Sequence, residues 1–306
     1  MNRQIYGATV AAALATLSTT RDAAAHGFAG DRFFPATIAT DDPFVADEMS
    51  LPTVTVNPRA SDGSKETDIG IDLAKRITRN LGFTLSDQWK YVDIPHASAV
   101  TGMDALSTGA QYQLFVNAPH ELIGLVGLNV TWAHTGRVNA LGAPDFTTLT
   151  PQFDFGKGFG DLPDSLPWLR PFAITGNLGL DFPTKITSAG APNANANIFN
   201  YGIAIEYSLE YLQHHVRDVG LGAPFDRMIP LVELSMTTPL NRGQGGQTTG
   251  TIQPGLIWAG QHFQLGAELI VPVNALSGHG IGGVFQFHLF LDDLFPTTIG
   301  KPLLDF

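Results

Sequence analysis

Cysteine is absent from the sequence, which excludes a disulfide framework and a lipid-anchored cysteine. Long apolar runs are also missing. After the N-terminal segment no stretch of about 18 apolar residues occurs, so a helical membrane protein is not expected and any crossing of a bilayer falls to strands. Charge is sparse at 15%, and cations are the scarcer sign, with 17 Lys and Arg against 28 Asp and Glu for a net charge of -11. Nucleic acid is therefore excluded as a partner, because phosphate backbones call for clustered Lys and Arg. What is abundant instead is glycine, at 33 residues, and aromatics, at 10%. That composition favours β-structure over long helices.

The first 25 residues read as a secretory signal peptide. Arg3 precedes an apolar small-residue core from Ile5 to about Leu17, and Ala23 and Ala25 supply the cleavage pattern, so the mature chain is expected to begin at His26. Arg3, Arg21 and Asp22 carry +1 together, which leaves -12 on the remainder.

The strongest pattern lies between Thr251 and Asp292. In the run from Gln261 to Asn274, Phe263, Leu265, Ala267, Leu269, Val271 and Val273 alternate with His262, Gln264 and Glu268. The run from Val284 to Asp292 repeats the rule, with Phe285, Phe287, Leu289 and Leu291 set against Gln286, His288 and Asp292. Side chains alternate faces along a strand, and roughly 9 to 11 tilted residues span a bilayer. Working backward, further strands are predicted over 51–58, 66–77, 81–91, 104–116, 121–134, 146–156, 169–183, 199–213, 229–240 and 251–259. The count is twelve, and an even count returns both termini to one side.

Connection lengths point the same way. Thr78–Asn80, Asn117–His120 and Gly260–Gln261 are short, whereas Val92–Met103, Thr135–Asp145, Lys185–Asn197 and Asn241–Gly250 are longer. Outer-membrane barrels have short periplasmic turns and longer external loops, so the N-terminus is placed in the periplasm. Lys157–Trp168 and His214–Met228 are too long for that rule. The expected fold is all-β: a transmembrane antiparallel up-and-down β-barrel of about 12 strands over 51–295, with a C-terminal tail at 296–306. Residues 26–50 lack a clean period yet carry aromatics. They read as a periplasmic collar, as a plug in the barrel mouth, or as a leader packed on the rim.

With the apolar phase outward, the predicted pore-lining residues are Asp72, Arg76, Gln113, Asp154, Glu206, Glu210, Glu233, Glu268, Gln286 and His288, alongside Asp68 and Gln264. Carboxylates outnumber cations, and a wet acidic interior would attract cations. The alternative is that these groups pair with one another and fill the interior, as in narrow barrels. Trp132, Tyr112, Tyr207, Tyr211, Trp258 and Phe182 fall in the outward phase, where aromatic rings suit a headgroup boundary.

Other chemistry has weaker support. His214-His215 and His26 have no second ligand cluster at metal spacing, and Asp41-Asp42 with Asp47-Glu48 lacks EF-hand spacing. No metal and no cofactor are expected. Gly156-Lys157-Gly158-Phe159-Gly160-Asp161 lacks the Lys-Ser/Thr pair of a phosphate loop and reads as a turn. A lipid hydrolase would need Ser and His together on the outer wall; His134 is outward, but no outward serine flanks it. An enzyme is not expected.

The run from Phe155 to Pro163, that from Trp168 to Gly176, the C-terminal Phe287–Pro296 and the leader His26–Pro35 resemble a family of bacterial outer-membrane transporters assigned to a phenol-degradation (MetA) pathway. The likeness covers most of the mature chain in scattered short patches. It implies a Gram-negative outer-membrane barrel of porin type that passes small solutes, with hydrophobic or aromatic compounds as one class. Phe306 fits the terminal aromatic that such barrels present to the assembly machinery. The implied partners are outer-membrane lipid, that machinery and a small solute, and the expected state is a monomer. The alternative is a non-conducting scaffold that binds through its loops and leader.

Overall fold

The computed structural model describes residues 27–137, 141, 143–188 and 194–304. The signal segment, His26 and Phe306 lie outside the described residues.

A small hairpin, β1 (Phe28–Ala29) and β2 (Arg32–Phe33), opens the chain and is separate from the main sheet. The wall follows: β3 (Glu48–Val56), β4 (Lys65–Arg76), β5 (Leu81–Asp93), β6 (Val100–Met103), β7 (Ser107–Asn117), β8 (Leu122–Thr131) and β9 (Thr148–Gly158). It continues through β10 (Phe172–Pro183), β11 (Ile198–Tyr207), β12 (Met228–Pro239), β13 (Thr249–Ala259), β14 (Phe263–Pro272) and β15 (Gly282–Phe290). All pairings are antiparallel, and β15 against β3 closes the ring. The first half of β5 pairs with β7 and its second half with β6, so β6 and β7 are one wall strand interrupted at residues 104–106. The result is a closed barrel of twelve strands, with no free sheet edge.

Every predicted strand has a counterpart, and most differences sit at the ends; the exception is β6, which occupies residues 100–103 of the connection expected over 92–103, while the strand expected over 104–116 starts only at Ser107. β3 begins at Glu48 and β15 stops at Phe290, so the wall spans 48–290 rather than 51–295. The strand predicted over 199–213 ends at Tyr207. Ser208 caps a helical turn there, its Oγ accepting from the Tyr211 amide at 3.1 Å, and a serine at this position favours helix over strand. The turn, α1 (Leu209–Tyr211), carries Glu210 off the wall. Glu210 is therefore not a pore-lining residue. Tyr211 turns inward and is only 6% exposed rather than facing outward. A short helix after β15, α2 (Leu291–Leu294), likewise ends the last alternation.

Along most strands the outer face is apolar and exposed, as with Ile69 and Ile71, Tyr112 and Leu114, Leu178 and Leu180, Leu269 and Phe285. Water gives such a wall no favourable partner, whereas hydrocarbon does. The inner face holds Asp68, Gln113, Gln152, Glu206, Glu233, Gln264 and Gln286, all buried.

Candidate functional site

The two halves of the lumen differ. At one end the strands are joined mainly by short turns, including 77–80 and 260–262; this is the turn end. At the loop end the connections are longer, as at 132–147 and 240–248.

Residues 27–47 enter the lumen from the turn end, reach about half its depth, and return to start β3. Arg32 anchors the way in. It is 1% exposed; its Nε lies 3.1 Å from Glu121 Oε2, its guanidinium donates to the carbonyls of Arg170 and Pro171, and its Cζ sits 3.8 Å over the Tyr211 ring. Tyr211 donates its hydroxyl to Glu121 at 2.8 Å. Burial and then the Glu121 carboxylate push the Tyr211 hydroxyl up to about 12, so it stays protonated as a donor. The anchor thus ties the leader to three separate turns. Close approach also requires glycine: a Cβ at Gly158 would lie 2.6 Å from Arg32 Nε, and one at Gly266 would lie 2.7 Å from Ile38 Cδ1.

At the apex Glu233, fully buried, accepts from the amides of Ile38, Ala39 and Thr40 at 2.8, 3.0 and 2.8 Å and from the Thr40 hydroxyl at 2.9 Å. Gln264 donates to the Ala36 carbonyl. On the way back Gln113 accepts from the Val45 amide and donates to the Pro43 carbonyl. Asp47 closes the path: Lys75 and Arg76 both hold its carboxylate, at 2.5 and 2.6 Å.

Away from its apex the leader is packed against apolar side chains. Phe34 and Phe44 pack with Ala29, Ala46, Ile123 and Ala173, and Phe33 packs on Ile229, Leu231, Ile257 and Ala259. Burying a phenylalanine contributes about 1.5–3 kcal/mol, so this packing is comparable to the charged anchors in holding the segment.

The loop half is open. Cavities of about 540, 460 and 400 Å³ share lining residues and together form a vestibule above the leader apex. Ile38 lines two of them and Asp72 two. Thr53, Thr55, Ser86, Ser107, Thr131, Asn129 and Gln152 supply hydroxyls and amides, and Asp41, Asp42, Asp68, Asp72, Asp87 and Asp104 supply carboxylates.

The predicted lining residues therefore separate into groups. Asp72, Gln286 and His288 line the vestibule. Arg76, Gln113 and Glu233 hold the leader. Asp154 and Glu206 are buried and accept from Gln152 and Thr175 at 2.7 and 3.0 Å, and Glu268, 4% exposed, faces Glu233. His288 joins two neighbours, with Nδ1 2.9 Å from Ser50 Oγ and Nε2 3.3 Å from Glu48 Oε2. Sequence reasoning missed Arg32 and Glu121, and met Asp47 only as part of an acidic cluster, not as the partner of Lys75 and Arg76. One signal was present for the first: Arg32 is the sole Lys or Arg in residues 26–50, and a lone cation beside aromatics needs a partner.

No protein-family model matches the sequence, and comparison with curated proteins gives no match. Among solved structures, the chain is similar to an outer-membrane channel from Pseudomonas putida F1, at 11% identity and a TM-score of 0.52, covering 84% of this chain and 99% of that one. The NanC porin gives 8% identity and a TM-score of 0.47 over 78% of this chain and 98% of that one. The likeness to the first is one of fold.

Proposed function

We propose that the protein is a porin-like channel or transporter for small solutes in the outer membrane, with the turn end facing the periplasm. One observation carries this: a closed barrel, apolar outside, encloses a polar vestibule open toward the long loops. Barrels of about eight strands fill their interiors with side chains, and this wider one leaves space beyond its leader. The likeness in fold to the P. putida outer-membrane channel supports the class, as does the resemblance to transporters of the phenol-degradation family. The vestibule gives little support to aromatic cargo, since Phe44 is the one Phe, Tyr or Trp on its walls among the described residues. The protein acts as a monomer, in outer-membrane lipid, after insertion by the barrel-assembly machinery.

A second reading, a non-conducting scaffold, is favoured by the number of bonds that hold the leader across the turn half. Planar-bilayer recording separates the two. The folded full-length protein is expected to give discrete single-channel currents. Silence from the full-length protein, and again from Arg32→Ala, would leave the scaffold as the better account.

A further inference from the structure

On the reading of the barrel as a solute channel, we propose that its vestibule selects small organic cations bearing primary amines, with a short aliphatic diamine as the representative ligand. The walls are rich in acceptors and poor in cationic donors. No Lys or Arg lines any of the three cavities among the described residues; the nearby Lys90 pairs with Glu66 and Asp104 at 3.3 and 2.9 Å and shares the remainder of its field with Asp68, one cation among three carboxylates. An ammonium group has three donors and no acceptor, which is the complement of such a surface.

Unsatisfied acceptors on residues that line the cavity point to a ligand independently of the charge. Asp68 is 7% exposed and lines the cavity of about 400 Å³; its Oδ2 accepts from Asn57 at 2.7 Å, whereas Oδ1 has no hydrogen-bond partner. Thr53 Oγ1, on the same cavity, and Gln286 Oε1, 6% exposed on its neighbour, are also without partners. A buried acceptor left unmade costs free energy that an incoming donor recovers.

The arrangement also favours an extended cation over a single metal ion. Among the described residues no group of three or more His, Asp or Glu converges to hold a metal. The carboxylates are spread along two connected cavities, with Asp72 common to both, so two amines joined by a short chain meet separate carboxylates. An anion has no donor cluster to meet, and a neutral polyol leaves the charge uncompensated.

Calorimetry on the detergent-folded full-length protein tests this, with 1,4-diaminobutane as probe and 1,4-butanediol and succinate as neutral and anionic counterparts. The diamine is expected to bind, the counterparts not, and Asp68→Asn with Asp72→Asn to weaken binding about tenfold or more. If that double variant loses its heat-modifiable gel mobility, Asp87→Asn serves instead. Butanediol binding as well as the diamine, or diamine affinity untouched by both sets of variants, would overturn the proposal. Binding is read without current. A protein that binds the diamine yet carries no current sinks the channel reading alone, and one that conducts without binding it sinks this proposal alone.

Discussion

The turn half and the loop half of one barrel are built from the same strands, and they solve opposite problems. In the turn half, inward-facing Ile123, Leu125, Ile229, Leu231 and Ile257 are at most 4% exposed, because a segment of the same chain covers them. In the loop half the inward residues are carboxylates, hydroxyls and amides around open space. A strand whose inner face changes from apolar to polar along its length specifies where a plug ends. The leader stops near Glu233, at the middle of β12, where the inner face changes character.

Removing residues 27–46 should break this contrast most completely. The apolar inner face of the turn half would then line an open pore, and single-channel conductance is expected to rise severalfold while the barrel keeps its heat-modifiable mobility. Conductance unchanged by the deletion would mean that the leader does not limit flow. Arg32→Ala comes next: it leaves Glu121 buried without its cation, and breaking such a pair costs about 3–5 kcal/mol. Hydrogen exchange of residues 28–40 should accelerate, with little change in the wall strands. Glu233→Gln keeps the shape but removes the charge from four hydrogen bonds at the apex, at a cost of about 1.5–3 kcal/mol, with faster exchange confined to the amides of Ile38, Ala39 and Thr40. The smallest structural effect is expected from Asp87→Asn in the vestibule, within about 0.5 kcal/mol of stability. Its readout is the reversal potential in a salt gradient, which should move toward lower cation preference.

Much of the wall was legible in advance because strand alternation is a local signal. The periods from Phe263 to Val273 and from Phe285 to Leu289 assigned the outward side chains, and the same phase placed Glu268, Gln286 and His288 inside, where they are buried. Glu210 escaped that logic because one hydroxyl, on Ser208, turned the chain into a helix before the alternation had run out. β6 escaped the reading because its four residues, Val100–Met103, are too few to show an alternation, and only their pairing with Trp89–Val92 of β5 makes them part of the wall. The plug's footprint was written in the sequence, though not in a periodic form. Stretches such as Leu122–Val126 and Met228–Val232 are apolar on both faces, which in a barrel calls for a dry partner inside as well as lipid outside.

The sequence by itself determined the strands, their phase and the acidity of the interior, since each depends on neighbours two or a few residues away. Only the tertiary structure decided what each inward carboxylate does. Glu233 holds an amide 195 positions away at Ile38 and Glu121 holds Arg32 across 89, whereas Asp68 and Asp72 face open space. Identical chemistry in the same strand phase becomes a latch or a vestibule wall according to where the leader comes to rest, and that is settled by contacts too distant in the chain for any local pattern to record.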